Sequence, residues 1–380
     1  MFKVLISPDS FKGSVDARAA ARAIARGVKS VRPDAVTVEL PIADGGEGTL
    51  DVLTAESERY NVVSAATDGR RLNAEYGVVG ERAIIEMARA AGLGTVPENE
   101  RDPERSTTVG VGLMILSALD RDCREIMLTL GGSGSNDGGV GMLEALGARF
   151  YSGDELISDI RAGDMARITS IDVSSLDKRL YETKFTLACD VSNPLYGERG
   201  ATYVYGRQKG ADDAMLDRLE RGMKNYAACM ARLTDDASSC PGTGAGGGVG
   251  FPLVALFGAT VRSGIESVLE VIGYEEKLHG VSLVITGEGK IDRQSAYGKA
   301  ISGVANAAMS KGIPVLALVG VKGEGADEMK KVGVCEIRAL TELTSDKEYS
   351  ISHGEELLEA LAAKAVINYC NKLFIGDIEK

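Results

Sequence analysis

The sequence predicts an α/β protein built on a doubly wound parallel sheet, with a second, mixed α/β domain inserted into it. Three observations predict this. Near both ends of the chain, short apolar runs ("KVLIS", "VTVEL", "VSLVIT", "IPVLALVG") lead into loops of glycine or charge, and helical segments separate them. That is the pattern of parallel strands covered on both faces. The middle of the chain has strand-like pieces broken by turn signals such as Asp68-Gly69, the mark of antiparallel hairpins. Finally, five strands run into loops that combine glycine with charge, and ligands of open α/β sheets bind at the carboxyl ends of strands.

The elements follow in order. "KVLISPDSFKGS" is a strand entering a polar loop. Ser14 reads as the N-cap of the next helix, with Asp16 in its first turn, where the helix dipole favours an acid. Val15, Ala19, Ala23, Ile24, Val28 and Val31 follow at helical spacing, and Pro33 marks the end. "VTVELPIADGGEGTLDVL" repeats the plan of strand, Gly/acid loop and helix. "NVVSAATDGRRLNAEYGVVGERAIIEMA" reads as hairpins, then come "EIMLTL", "TKFTLACD" and the Gly-rich "PGTGAGGGVGFP". The expected division is residues 1–65 plus 276–380 for the doubly wound domain and 66–275 for the inserted one. "EELLEALAAKAVINYCNKLF" is expected to pack on the first domain.

Composition excludes several classes. Hydrophobic residues make 44% and charged residues 26% of 380, ordinary for a globular protein. With 43 Lys+Arg against 55 Asp+Glu the net charge is −12, which argues against nucleic acid and anionic membrane as partners. No apolar run can span a bilayer and no signal peptide is visible. The six cysteines lack CxxC spacing and read as reduced thiols of a cytoplasmic protein. With two histidines, both read as solvated, acid–base work falls to carboxylates or lysines. Assembly with further copies of the chain, a homo-oligomer, stays open.

The five loops hold the candidate chemistry. They are "SPDSFKGS" (Asp9, Ser10, Lys12), "ADGGEGT" (Asp44, Gly45, Gly46, Glu47) and "GGSGSNDGG" (Gly131, Gly132, Ser133, Ser135, Asn136, Asp137). The others are "CDVSNPL" (Asp190, Asn193) and "TGEGKIDRQSAYGK" (Glu288, Lys290, Asp292, Lys299). The dinucleotide spacing GxGxxG occurs only at "GTGAGG", which no strand precedes, so an NAD site is not expected. No GxxxxGK[ST] is present, so the chain is not a P-loop NTPase. "GGSGSNDGG" either cradles an oxyanion on its amides or lets a helix pack closely on the sheet; the cradle is favoured. Lysines for phosphates and carboxylates for Mg²⁺ and for a base make an inventory consistent with phosphoryl transfer.

At these loops the sequence resembles the bacterial glycerate kinase family, the type that lacks a P-loop. The resemblance runs nearly end to end and rests on "SPDSFKGS", "PIADGGEGT", "RDPERSTTVGVG", "GGSGSNDGGVGMLEALGA", "CDVSNPLYGERGAT", "PGTGAGGGVGF" and "TGEGKIDRQSAYGKA" in that order. It implies ATP- and Mg²⁺-dependent phosphorylation of D-glycerate, with 2-phosphoglycerate favoured. It also implies a flavodoxin-like domain carrying a second α/β domain, with the site in the cleft between them; two domains around a cleft in turn suggest closure that excludes water. One departure is "GRQKGA", where Arg207 stands in place of an expected proline. On this basis Asp190 is expected to be the base and Lys12 to pair a carboxylate or the transferred phosphate. Asp44 and Glu47 are expected near Mg²⁺, with Glu288 and Asp292 as competing ligands. Lys290 and Lys299 would neutralise the leaving phosphate. A kinase of another hydroxy acid and a non-catalytic binding protein remain the alternatives.

Overall fold

The computed structural model describes residues 1–293 and 299–378, with side chains to residue 372; residues 294–298 of the last motif lie outside it. The strands are β1 (Lys3–Pro8), β2 (Val36–Glu39), β3 (Arg59–Ala65), β4 (Arg71–Val79), β5 (Arg82–Glu86), β6 (Glu125–Thr129) and β7 (Arg149–Ser152). They continue as β8 (Glu155–Ile157), β9 (Ser170–Asp172), β10 (Lys184–Ala188), β11 (Thr260–Arg262), β12 (Leu283–Ile291), β13 (Val315–Lys322) and β14 (Val334–Ala339). The chain divides into two compact units, Met1–Asp44 with Ile265–Lys380, and Gly45–Gly264.

The first unit is a five-stranded sheet in the order β14-β13-β12-β1-β2, with every pair parallel. Counted along this unit's own strands, that order is 2-1-3-4-5, the flavodoxin-like arrangement, whose switch point lies between β1 and β12. Successive residues of the apolar runs alternate between two cores. Val4, Ile6, Leu283, Ile285, Leu316 and Leu318 pack with the helices Ala17–Val31 and Gly354–Ile378. Leu5, Val284, Val315, Ala317 and Val319 pack with the helix Ala300–Met309. A strand buried on both faces needs apolar side chains in both phases, which is why these runs are continuous.

The first helix starts later than Ser14 implies. Its N-cap is Asp16, whose carboxylate accepts from Ala19 N at 2.8 Å. Ser14 is occupied elsewhere, its hydroxyl donating to the Ile351 carbonyl at 2.7 Å. A short bridge between Phe11 and Val15 holds the chain out of helix until residue 16.

The second unit is a mixed sheet in the order β11-β10-β6-β5-β4-β3. β3, β4 and β5 are antiparallel, and β5, β6, β10 and β11 run parallel. Asp68 and Gly69 do turn the first hairpin, with Gly69 at φ +87°. A small antiparallel sheet, β8-β7-β9, sits alongside in sequence. Both unit junctions differ from the expected ones. β3 pairs with β4 over its whole length, Arg59↔Gly77 to Ala65↔Arg71, so the junction comes before it, after Asp44. At the other end Ile265 and Tyr274 belong to the core around Leu5 and Ile301, which brings that junction forward to Ile265. Among the described residues no helix is long and apolar enough to cross a membrane.

Candidate active site

In the first unit the candidate residues gather at the switch point, where β1 and β12 run parallel in register, Pro8 opposite Gly287. Asp9 is the first residue past β1, and its N–H donates to the Gly287 carbonyl at 2.8 Å. This fixes Asp9 beside Glu288 on the neighbouring strand. The Asp9 carboxylate accepts from Ser10 N at 2.6 Å. Burial, and then the charge of Asp44 arriving from the loop after β2, push its pKa up to about 6; the Ser10 N–H and Lys12 pull the other way. Lys12 is exposed. Further along β12, Lys290 pairs with Asp292 at 3.5 Å. Lys299 precedes the helix Ala300–Met309, its carbonyl accepting from the Ser302 hydroxyl. A cavity of about 290 Å³ opens at the same strand ends. Phe11, Lys12, Gly289, Gly320 and Leu340 line it together with Thr341.

The second unit treats its expected residues unevenly. Gly131, Gly132 and Ser133 lie at least partly open to solvent. Ser135, Asn136 and Asp137, expected to bind phosphate, are fully buried. Asn136 donates from Nδ2 to the Thr202 hydroxyl at 3.1 Å. The Asp137 carboxylate accepts from Thr108 N, the Thr108 hydroxyl, Gly139 N and Gly141 N at 2.8–3.2 Å. The start of the helix Val140–Ala145 is therefore already taken by a carboxyl group of the protein's own, which burial pushes up in pKa while the Thr108, Gly139 and Gly141 hydrogen bonds oppose. The glycines beyond serve packing: Gly138 N donates to Gly247 O at 2.9 Å, and a Cβ on Gly247 would stand 2.0 Å from the Ser135 carbonyl. Of the residues expected to cradle an oxyanion, Gly131, Gly132 and Ser133 are thus at least partly open to solvent, whereas the side chains of Ser135, Asn136 and Asp137 are buried.

Asp190 follows β10, and its Oδ1 accepts from Gly264 N at 2.8 Å, which caps the helix Gly264–Val271. Asn193 is a brace: Oδ1 accepts from the Tyr205 hydroxyl and Nδ2 donates to the Arg199 carbonyl, both at 2.7 Å. Both ends of its amide are used inside the protein, so its expected binding role is not supported. Gly45 and Gly46 make close backbone approaches, Gly45 to Gly264 and Gly46 to Gly131. Glu47 is exposed. Among the described residues no three His, Cys, Asp or Glu side chains gather as a ready metal centre. Any metal would rest on one or two carboxylates and on ligand oxygens.

Sequence reasoning missed a group of cations. A cavity of about 480 Å³ in the second unit is lined by Arg70, Arg101, Arg105 and Lys209 together with Gly134. Lys209 is 1% exposed and donates to the Ser135 carbonyl at 2.6 Å and the Ser133 hydroxyl at 3.1 Å. Burial pushes its pKa down to about 7, with Asp137 opposing. The signals were present, the arginines of "RDPERS" and the lone lysine of "GRQKGA", but only the fold brings residues 101 and 209 together.

Carboxylates and lysines at the strand ends of a flavodoxin-like sheet, without a dinucleotide turn or a P-loop, place the chain among α/β proteins and are consistent with phosphate chemistry. Comparison with known proteins narrows it. The family model described as the glycerate kinase family matches residues 4–370. A glycerate kinase of Bacillus cereus is 42% identical over 366 residues, 95% of this chain and 96% of that protein. A glycerate 2-kinase of Escherichia coli is 42% identical over 324 residues, 84% and 85% of the two chains. The crystal structure of a Salmonella typhimurium LT2 protein put forward as a glycerate kinase 2 superposes with a TM-score of 0.87 at 37% identity, covering 98% of this chain and 99% of that one. The chain belongs to the glycerate kinase family. It is a kinase, a transferase acting on a small molecule.

Proposed function

We propose that the protein transfers the γ-phosphoryl group of ATP, with Mg²⁺, to D-glycerate and releases 2-phosphoglycerate. The observation that carries this is the Asp9–Asp44 carboxylate pair with Lys12 at the β1/β12 switch point. The names of the relatives support glycerate as the acceptor, and that of the Escherichia coli relative supports the 2-position. The expected cleft site stays with this proposal, carried by the resemblance alone. So does a cytoplasmic location, which the six free cysteines favour.

The residues fit a magnesium ion that keeps phosphate oxygens as further ligands. A divalent cation would rest on Asp44 and on phosphate oxygens, leaving Asp9, raised by burial and then by the charge of Asp44, for the proton. Glu288 on the adjacent strand is the second carboxylate available to the same ion; Glu47 is exposed, and Asp292 is engaged by Lys290. Mg²⁺ supplies charge neutralisation on the phosphates. In the reaction the acceptor hydroxyl oxygen bonds to the γ-phosphorus while the bond to the β-bridging oxygen breaks, leaving ADP. The hydroxyl proton passes to a carboxylate. Asp9, poised near 6, suits that task at neutral pH. Asp190 competes for it but already spends Oδ1 on Gly264. Lys12, Lys290 and Lys299 meet the charge of the phosphates, and the cavity beside Lys12 has the apolar walls a nucleoside needs.

The test is ADP release with D-glycerate and Mg²⁺, with the product read by NMR, on wild type, Asp9→Asn and Asp190→Asn. Turnover to 2-phosphoglycerate that Asp9→Asn abolishes supports the reading. Turnover with a different hydroxy acid alone overturns glycerate as the acceptor, and no ADP release with any hydroxy acid overturns the kinase chemistry proposed for this site.

A further inference from the structure

We propose that the cavity of the second unit lined by Arg101, Arg105 and Lys209 is an oxyanion site, with Arg101 and Lys209 as its donors. Its occupant is the carboxylate of a small hydroxy acid, bound within the second unit.

The charge balance of the walls carries the argument. Three acids line the cavity, Asp68, Glu100 and Asp102. The first two are taken by Arg70, which pairs with both. Asp102 turns one oxygen to the Glu104 N–H at 3.0 Å. Arg101 and Arg105 make no ion pair or side-chain hydrogen bond among the described residues, and the Nε of Arg101 is buried without a partner. A buried guanidinium donor with nothing to bind is costly, and an anion in the cavity supplies what it lacks. Lys209 reinforces this. It commits two of its three N–H bonds to Ser135 and Ser133, and its ammonium is held close to losing its charge by burial. A carboxylate nearby restores the charge.

The location also answers a problem of capture. With a net charge of −12 the chain repels anionic substrates at long range, so a small acid must meet a local concentration of cations. This cavity holds four cationic side chains and is roomy enough for a three-carbon acid. Arginine is the suited donor, because its planar fork matches a carboxylate with two parallel bonds. A purely structural account of Lys209, as the counter-charge of Asp137 and a donor to Ser135, explains that residue but leaves Arg101 and Arg105 unexplained.

The experiment is calorimetric binding of D-glycerate alone, and separately of a non-hydrolysable ATP analogue with Mg²⁺, to wild type, Arg101→Gln, Arg101→Lys and Arg105→Gln, with circular dichroism melts of each. The expected result is that Arg101→Gln weakens glycerate binding by about 10–100-fold. Arg101→Lys recovers part of that loss, and affinity for the analogue is unchanged. Loss of analogue affinity instead keeps the oxyanion site but overturns the carboxylate as its occupant. If folded Arg101→Gln and Arg105→Gln both bind glycerate and the analogue like wild type, the site is overturned, whatever the turnover. If wild type releases no ADP with glycerate but still binds it in an Arg101-dependent way, the kinase reading falls and the site stands. Should Arg101→Gln fail to fold, the exposed Arg105 carries the same comparison.

Discussion

The carboxylate of Asp137 accepts from both the backbone N–H and the hydroxyl of Thr108, each at 2.8 Å. Two further N–H groups, of Gly139 and Gly141, complete the set. Removing the carboxylate leaves these buried donors without an acceptor. Asp137→Ala is expected to cost about 3 kcal/mol of stability, seen as a lower urea midpoint. An unchanged midpoint would show that water replaces the carboxylate without loss.

Asp9 predicts a pH dependence. Its pKa rises from 3.8 to about 6 on folding, so between those values the native protein binds this proton and the unfolded chain does not. Stability from this group is therefore present below pH 4 and is lost as pH rises to 6. Asp9→Asn abolishes the loss: its melting temperature exceeds that of wild type at pH 8, while its turnover is expected to disappear. A variant less stable than wild type at pH 8 would show that burial and the charge of Asp44 do not make ionised Asp9 costly to the fold.

The same pair shapes the rate profile. If Asp9 accepts the proton, kcat/KM of wild type falls below about pH 6. In Asp44→Asn the like charge is gone, and this acid limb moves down by about one pH unit or less. A limb that does not move assigns the titration to another carboxylate.

Asp190 carries a role that the choice of substitution separates. Asp190→Ala deprives Gly264 N of its acceptor and is expected to cost about 1 kcal/mol, as for other lost caps. Asp190→Asn keeps an oxygen for that bond, so the melt stays close to wild type. Activity lost in Asp190→Asn then reports chemistry, and activity retained reduces Asp190 to a cap.

Gly247 has φ +71° and no room for a methyl group against the Ser135 carbonyl. Gly247→Ala is expected to destabilise by about 3 kcal/mol or more, measured by urea unfolding.

How much of this was legible depended on range along the chain. The apolar runs of both sheets, the Asp68-Gly69 turn and the loops at strand ends are local patterns, and the structure has them where the residues put them. The helix start was misread because Ser14 and Asp16 are both good caps, and the Phe11–Val15 bridge that chooses between them is not a pattern in residue types. The glycines of "GGSGSNDGG" signalled close approach correctly, but their partner was the second glycine-rich segment, more than a hundred residues on, where Gly247 meets Gly138. Lys209 and Arg101 were silent for the same reason: each looks like an ordinary surface cation until the fold gathers them.

The first unit is assembled from two stretches of chain with the whole second unit spoken between them. Ser7 of β1 waits for Thr286 of β12, 279 residues later, whose hydroxyl donates to its carbonyl at 2.8 Å. At a synthesis rate of about 5–20 residues per second, that wait lasts roughly 15–60 s on the ribosome. During it β1 and β2 have no neighbour on the β12 side, while residues 45–264 emerge as a continuous segment able to form its own core. Birth order thus runs opposite to numbering: the arginine cavity is complete first, and the Asp9–Asp44 pair acquires its setting only once the last strands leave the exit tunnel.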